Sequence, residues 1–188
     1  MAKNEKPTVC VIGGGAAGFF AAITCAENYP DAQVTIIEQN KDVLNKVKIS
    51  GGGRCNVTHA CFDPKELVTF YPRGKKELLG PFHKFQPGDT FDWFEKRGVE
   101  LKIEEDNRVF PVSDQSSTIV DALTNSAKEA NVKVWNNSKI QSISQNPSGN
   151  WTLKTTTGQN IFANILVLAT GSSPAAWKML SDYHEIID

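Results

Sequence analysis

The sequence predicts an α/β domain built on a parallel sheet, with a three-stranded antiparallel meander before the last parallel strand. Three observations carry this. An apolar run, Val9–Ile12, leads into Gly13-Gly14-Gly15-Ala16-Ala17-Gly18 and then an Ala-rich helical stretch. An acid, Glu38, closes a second apolar run that starts at Val34, twenty residues past Gly18. A wholly apolar run, Ile165–Ala169, ends in Thr170-Gly171 and reads as a strand covered on both faces.

In the first of these each glycine has a task. Gly13 makes the tight turn, Gly15 lets the backbone approach a pyrophosphate, and Gly18 permits close helix–strand packing. The helix opening at Ala16 and Ala17 offers free backbone N–H groups and the positive end of its dipole to phosphates. Glu38, followed by Gln39, stands where an acid bonds the ribose hydroxyls of an adenosine. An acid there, rather than Arg, disfavours a 2′-phosphate, so FAD or NAD fits and NADP does not. Gly13, Gly15, Ala16, Ala17, Gly18, Glu38 and Gln39 are thus candidate cofactor-binding residues.

The remaining elements follow in order. Lys41–Thr58 is polar and glycine-dense and holds Gly51-Gly52-Gly53. Asp63-Pro64 pairs an N-cap with proline at the first helical position, opening a short helix to about Phe70. Another short helix is expected over Thr90–Arg97, capped by Asp89 or Thr90 and ended by Gly98. Val99–Ile103 and Arg108–Val112, joined by Glu104-Glu105-Asp106-Asn107, read as a hairpin. Ser116 or Ser117 caps a helix to about Ala130, whose apolar stripe includes Ile119, Leu123 and Ala127. Val132–Trp135 is a strand, and Ile140–Ser144, Trp151–Thr156 and Asn160–Phe162 form the meander.

With 188 residues, 40% hydrophobic and 22% charged, the chain suffices for one well-packed domain and little more. A net charge of −1 gives no general attraction to nucleic acid or anionic membrane, and Lys75-Lys76 and Lys96-Arg97 read as solvated charges. Val9–Ile12 is too short to span a bilayer and Met1–Pro7 lacks a signal peptide's apolar run, so a cytoplasmic location is expected. Cys10, Cys25, Cys55 and Cys61 suit a reducing compartment. With no Cys-x-x-Cys pair, and with His59, His83 and His184 far apart, no metal site is expected.

A plain NAD-binding domain would continue with alternating strands and helices after Glu38. Here a long insertion, one helix, a strand and the meander precede Ala169-Thr170-Gly171. That is the layout of the glutathione-reductase-like FAD-binding domain, a Rossmann-type parallel sheet with a three-stranded meander. Two further stretches, Lys46–Thr58 with its Ser50-Gly51-Gly52-Gly53-Arg54-Cys55-Asn56 run, and Arg108-Val109-Phe110-Pro111-Val112-Ser113-Asp114, narrow the resemblance. They resemble signature segments of a family of bacterial NAD(P)/FAD-dependent oxidoreductases, described as aminoacetone oxidase-like or bile-acid-reductase-like. The similarity runs from about Thr8 to Gly171.

The resemblance implies bound FAD. It places Lys46, Ser50, Gly51, Gly52, Arg54, Cys55 and Asn56 toward the pyrophosphate or flavin, Glu38 at the ribose, and the backbone near Ile140 at the adenine. Ala169, Thr170 and Gly171 fall at the cofactor's middle. Three consecutive glycines let backbone N–H groups converge on an anion, and Arg54 would neutralise phosphate or a reduced, anionic flavin. Arg108–Asp114 is either scaffold or a wall of the flavin site. The chain departs from the family's Gly-Gly-Lys-like continuation, carrying Ser172-Ser173-Pro174 after Gly171. Family chains are roughly twice as long. Residues 8–171 are therefore expected to be the amino-terminal part of the FAD domain, with an insertion over about 59–115. Residues 172–188 would begin a connection to a substrate domain outside this chain, which on its own would be inactive and hold FAD weakly.

The activity this implies is flavin-dependent hydride transfer between a reduced nicotinamide, NAD(P)H, or oxygen and a small organic substrate, with no catalytic residue singled out. No nucleic-acid or membrane partner is expected, and the oligomeric state is open. Two alternatives stand beside it. One is a non-catalytic dinucleotide-binding module. The other is a disulfide reductase using Cys55 and Cys61, which their spacing of five intervening residues, against four in those enzymes, disfavours.

Overall fold

The computed structural model describes residues 6–181 and Tyr183. In chain order the elements are β1 (Thr8–Ile12), α1 (Ala16–Asn28), β2 (Gln33–Ile37), α2 (Asn45–Gly53), β3 (Thr58–His59), α3 (Pro64–Leu67), α4 (Lys75–Phe82) and α5 (Pro87–Glu95). They continue as β4 (Leu101–Ile103), β5 (Arg108–Pro111), α6 (Ser116–Glu129), β6 (Lys133–Trp135), β7 (Ile140–Gln145), β8 (Trp151–Thr155), β9 (Asn160–Ala163), β10 (Ile165–Leu168) and α7 (Pro174–Leu180). The chain divides into two compact units, one up to Asn45 and again from Leu123 onward, the other Lys46–Ala122.

The first unit is the predicted α/β architecture. Its four strands run parallel in the order β10-β1-β2-β6. Period-two alternation sends β1 side chains to opposite faces. Cys10 and Ile12, with Ile37 of β2, pack against Ile140, Leu153, Ile161 and Ala163 of the antiparallel β7-β8-β9 meander. Burial there pushes the Cys10 thiol up to about 11. Helix α1 contacts β1, β2 and β10, burying Phe19, Ala22 and Ile23. Strand β10 corrects the reading of its apolar run. Among the described residues it is the outer strand, with β1 as its sheet neighbour, and Ile165 and Leu168 stay 51% and 40% exposed.

The departure at Ser172-Ser173-Pro174 has a local cause. The Ser173 hydroxyl accepts the Ala176 N–H at 3.4 Å and Pro174 occupies the first turn, so these residues start α7. His184 lies outside the described residues.

The second unit is built on the antiparallel sheet β3-β5-β4, so the predicted hairpin is present as β4 and β5. Its core holds Val109 and Phe110, both without exposed surface, with Leu67, Phe94 and Val99 also buried. Asp63 caps α3 as expected, its carboxylate accepting the Lys65 N–H at 2.7 Å. Helix α5 begins at Pro87 rather than Thr90, because Asp89 is its third residue and reaches back to accept the Gln86 N–H at 2.8 Å. In α6 Ser116 is already helical and its hydroxyl donates to the Lys48 carbonyl at 2.8 Å, so neither Ser116 nor Ser117 is the cap. Ile119 of its stripe is buried, as are Leu123 and Ala127. Helix α4 was not foreseen. It carries an internal Pro81 and buries no residue, so hydrophobic periodicity gave it no signal.

Candidate functional site

In the parallel-sheet unit the candidate residues gather at the carboxyl ends of β1, β2 and β10, where ligands sit in open α/β sheets. Gly13 has φ +111°, donates its N–H to the Ile37 carbonyl at 2.9 Å, and leaves no room for a side chain. A Cβ there would lie 2.4 Å from the Ala169 carbonyl oxygen. A Cβ on Gly18 would lie 1.9 Å from the Gly13 carbonyl oxygen, so the α1–β1 approach depends on this glycine. Gly15 differs. It caps α1 in extended backbone, and a Cβ there would meet nothing within 4 Å. Ala16 and Ala17 are exposed in the first turn of this thirteen-residue helix. The open backbone at Gly15 and the α1 amino end therefore fit a pyrophosphate.

Glu38 is 8% exposed and its carboxylate is already oriented. Oε2 accepts the Gly14 N–H at 2.7 Å, while Oε1 accepts the Asn40 backbone N–H at 2.9 Å and the Asn40 Nδ2 at 2.7 Å. Of roughly four acceptor positions on a carboxylate, one remains, on Oε2. A ribose diol thus finds one ready acceptor, and a second bond requires the Asn40 amide to turn away. Asn40 and Gly14 were missed by sequence reasoning. The only available signal was the short polar side chain two residues past an acid. Gln39 is exposed, and Ile140 points its side chain into the core cluster, leaving its backbone as the part able to meet a ligand. Thr170 follows Ala169, whose N–H bonds Ile12, and Gly171 has φ +59°.

In the second unit α2 is interrupted at Ser50, whose ψ of 152° is extended, and Gly51 and Gly52 follow in left-handed conformation. The turn closes where the Cys55 N–H donates to the Ser50 carbonyl at 3.0 Å. Gly51 is required. A Cβ there would lie 2.8 Å from both the Asn56 nitrogen and the Phe110 ring, whereas Gly52 and Gly53 face open space. Lys46 is exposed at the start of α2. Asn56 Oδ1 accepts the Val109 N–H at 3.3 Å, tying the run to β5.

Arg54 and Cys55 are held by their neighbours within this unit. The Arg54 guanidinium, expected to face phosphate or flavin, is bonded to Glu104 at 2.5 Å and to Asp114 at 3.4 Å, with Cζ 3.9 Å above the Phe110 ring centre. Those bonds raise its affinity for the proton, while Lys102, then Arg54, hold the Asp114 carboxyl below the usual range. Cys55 is buried at φ +64°, and burial raises its thiol although the Ser50 hydroxyl opposes the shift. A thiol held protonated is a poor redox nucleophile. All four cysteines are free.

A family model described as the HI0933-like protein Rossmann domain matches residues 7–182. The chain is 29% identical over 161 residues to the 3-dehydro-bile acid delta(4,6)-reductase of Clostridium scindens, covering 86% of this chain and 38% of that protein. It is 27% identical over 187 residues to the ribosomal RNA dihydrouridine synthase of Escherichia coli, covering 95% of this chain and 45% of that protein. The chain thus spans less than half the length of these curated relatives. Among solved structures it is similar to Thermovibrio ammonificans THI4, with a TM-score of 0.60 at 15% identity over 96% of this chain and 64% of that one. It is also similar to NikD, described as an unusual amino acid oxidase, with a TM-score of 0.53 at 16% identity over 94% of this chain and 54% of that one. At such identities the likeness concerns the fold.

Proposed function

The chain belongs to the HI0933-like family of Rossmann domains, the FAD-binding domain of flavoprotein oxidoreductases, and from that premise we propose the following division of labour. Gly13, Gly15 and the α1 amino end hold the pyrophosphate of FAD, Glu38 holds the adenosine ribose, and the turn at Ala169-Thr170-Gly171 accommodates the cofactor's middle. The family resemblance also implies an FAD-binding role for the Ser50–Asn56 run. When bound, FAD would supply hydride transfer between NAD(P)H or oxygen and a small organic substrate.

One observation carries the reading: the backbone at Gly15 stands open at the start of a long helix while a buried, already oriented carboxylate follows β2. A first-turn N–H array and dipole favour phosphate there. The carboxylate accepts a hydroxyl but repels a phosphate, which supports FAD over a 2′-phosphorylated nucleotide. The raised Cys55 thiol disfavours the disulfide-reductase alternative.

A second reading, in which the substrate is a base in ribosomal RNA, draws on the E. coli relative. It draws also on Phe70 and Tyr71, which are 56% and 39% exposed just before Lys75-Lys76. Heat-released cofactor from the full-length protein, identified by chromatography, tests the first reading: FAD is expected, and FMN alone would end it. Reduction of the bound flavin by NADH or NADPH, followed by reoxidation with small enones or with unmodified ribosomal RNA, separates the two substrates.

A further inference from the structure

The triglycine turn is fastened by side chains. Phe110, fully buried in β5, is its seat: Gly51 lies against the ring edge so closely that a Cβ would fall 2.8 Å from it. The Arg54 guanidinium covers the ring at 3.9 Å. Its Nη1 and Nη2 reach the two Glu104 oxygens at 2.5 and 3.4 Å, a forked pairing that fixes orientation as well as distance. Asp114 accepts from Nη1 at 3.4 Å and also pairs with Lys102. Arg108 reaches Glu104 at 3.7 Å and Asp106 at 2.6 Å. The group therefore holds three cations, Arg54, Lys102 and Arg108, against three anions, Glu104, Asp114 and Asp106. Such a balanced set exerts little net attraction on a phosphate.

We propose that Arg54 is a positioning residue: clamped between Phe110 and the Glu104–Asp114 pair, it fixes the backbone of the Gly51–Gly53 turn, and it does not itself neutralise the bound cofactor. Gly52 and Gly53, which face open space, are the surface so presented. The link to a cofactor rests on the proposed function; the clamp does not.

Two experiments on the full-length protein test this. In the cofactor-free state, tryptic cleavage after Arg54 is timed in wild type, Glu104→Gln and Asp114→Asn, with cleavage after Lys128 as the control for global unfolding. The clamp predicts roughly fivefold faster cleavage after Arg54 in Glu104→Gln, a smaller increase in Asp114→Asn, and no change after Lys128. Unchanged cleavage after Arg54, or equal acceleration at both places, would overturn it. This arm decides the clamp even if the protein holds no FAD.

FAD titrations then compare Arg54→Gln, Glu104→Gln, their double variant and Arg54→Lys. The clamp predicts that both single variants weaken FAD by a similar factor, that the double is no weaker than the worse single, and that Arg54→Lys, which keeps the charge but loses the fork, fails to rescue. A direct anion contact predicts the reverse: full affinity in Arg54→Lys and unchanged or tighter binding in Glu104→Gln. No FAD binding by wild type would remove the proposed function and leave the cleavage result standing.

Discussion

In the parallel-sheet unit the glycine motif is held by backbone against backbone: Gly13 against the Ala169 carbonyl and Gly18 against the Gly13 carbonyl. In the unit Lys46–Ala122 the glycine turn is held by side chains, with a buried aromatic ring below it and ion pairs beside it. The first kind of contact leaves little room for adjustment, since Gly13 and Ala169 directly follow β1 and β10 and their own N–H groups are bonded to the Ile37 and Ile12 carbonyls. The second is graded, because long side chains shift and half-exposed ion pairs are screened by water and salt. Two glycine-rich segments of one chain therefore differ in how each responds to substitution.

The largest effect should follow Gly18→Ala. Its Cβ would fall 1.9 Å from a backbone oxygen, and overpacking of that severity costs about 3 kcal/mol or more. Urea unfolding should show this loss, and wild-type stability would refute the backbone-against-backbone account. Next comes Glu38→Ala, which strands the buried Gly14 N–H. About 1–3 kcal/mol should be lost from folding, and a similar amount from FAD binding by the full-length protein. Glu38→Gln, which keeps one acceptor, should lose less of both.

Gly15→Ala sharpens the contrast within the first unit. Gly15 sits at φ −90° in open space, so folding stability should change by no more than about 0.5 kcal/mol. FAD affinity in the full-length protein should nevertheless fall about tenfold, or about 1.4 kcal/mol, if a phosphate occupies that space. Unchanged affinity would remove Gly15 from the cofactor contacts.

Two groups, one in each unit, should act at opposite ends of the pH scale. Cys10 is raised by burial to about 11, so the folded thiol keeps a proton that the unfolded chain has released. Its contribution is complete below the ordinary value of 9.0 and disappears between there and about 11. Asp114 is lowered, chiefly by Lys102, so its contribution is present above the ordinary value of 3.8 and is lost as pH falls through the folded value. Being partly exposed, it gives the smallest effect of all. Cys10→Ala should flatten the alkaline limb of stability against pH, and Asp114→Asn the acid limb.

The first unit was largely legible in the sequence because its determinants are local. Gly13, Gly18 and Glu38 sit at fixed offsets, and β1, β2 and the meander carry their burial in their patterns. Missing was the exposed status of β10, since an apolar run states what a strand is made of but not whether a neighbour lies beyond it. The second unit was less legible. Arg54 and Glu104 are fifty residues apart and meet only through the β3-β5-β4 pairing. Gly51 announced a turn, but that the turn seats on Phe110 depends on a contact with no sequence period.

One pairing described above bears on how the chain is made. The Thr8 N–H and the Asn164 side chain meet across 156 residues, and β1 zips onto β10 along the same line. At typical synthesis rates of about 5–20 residues per second, β1 leaves the ribosome on the order of ten to thirty seconds before its partner. During that interval Val9, Val11 and Ile12 have β2 on one side and no strand on the other. Closing so long a loop places this contact among the late events of folding. The nascent chain thus carries one edge of β1 unpaired until Ile165–Leu168 has been made.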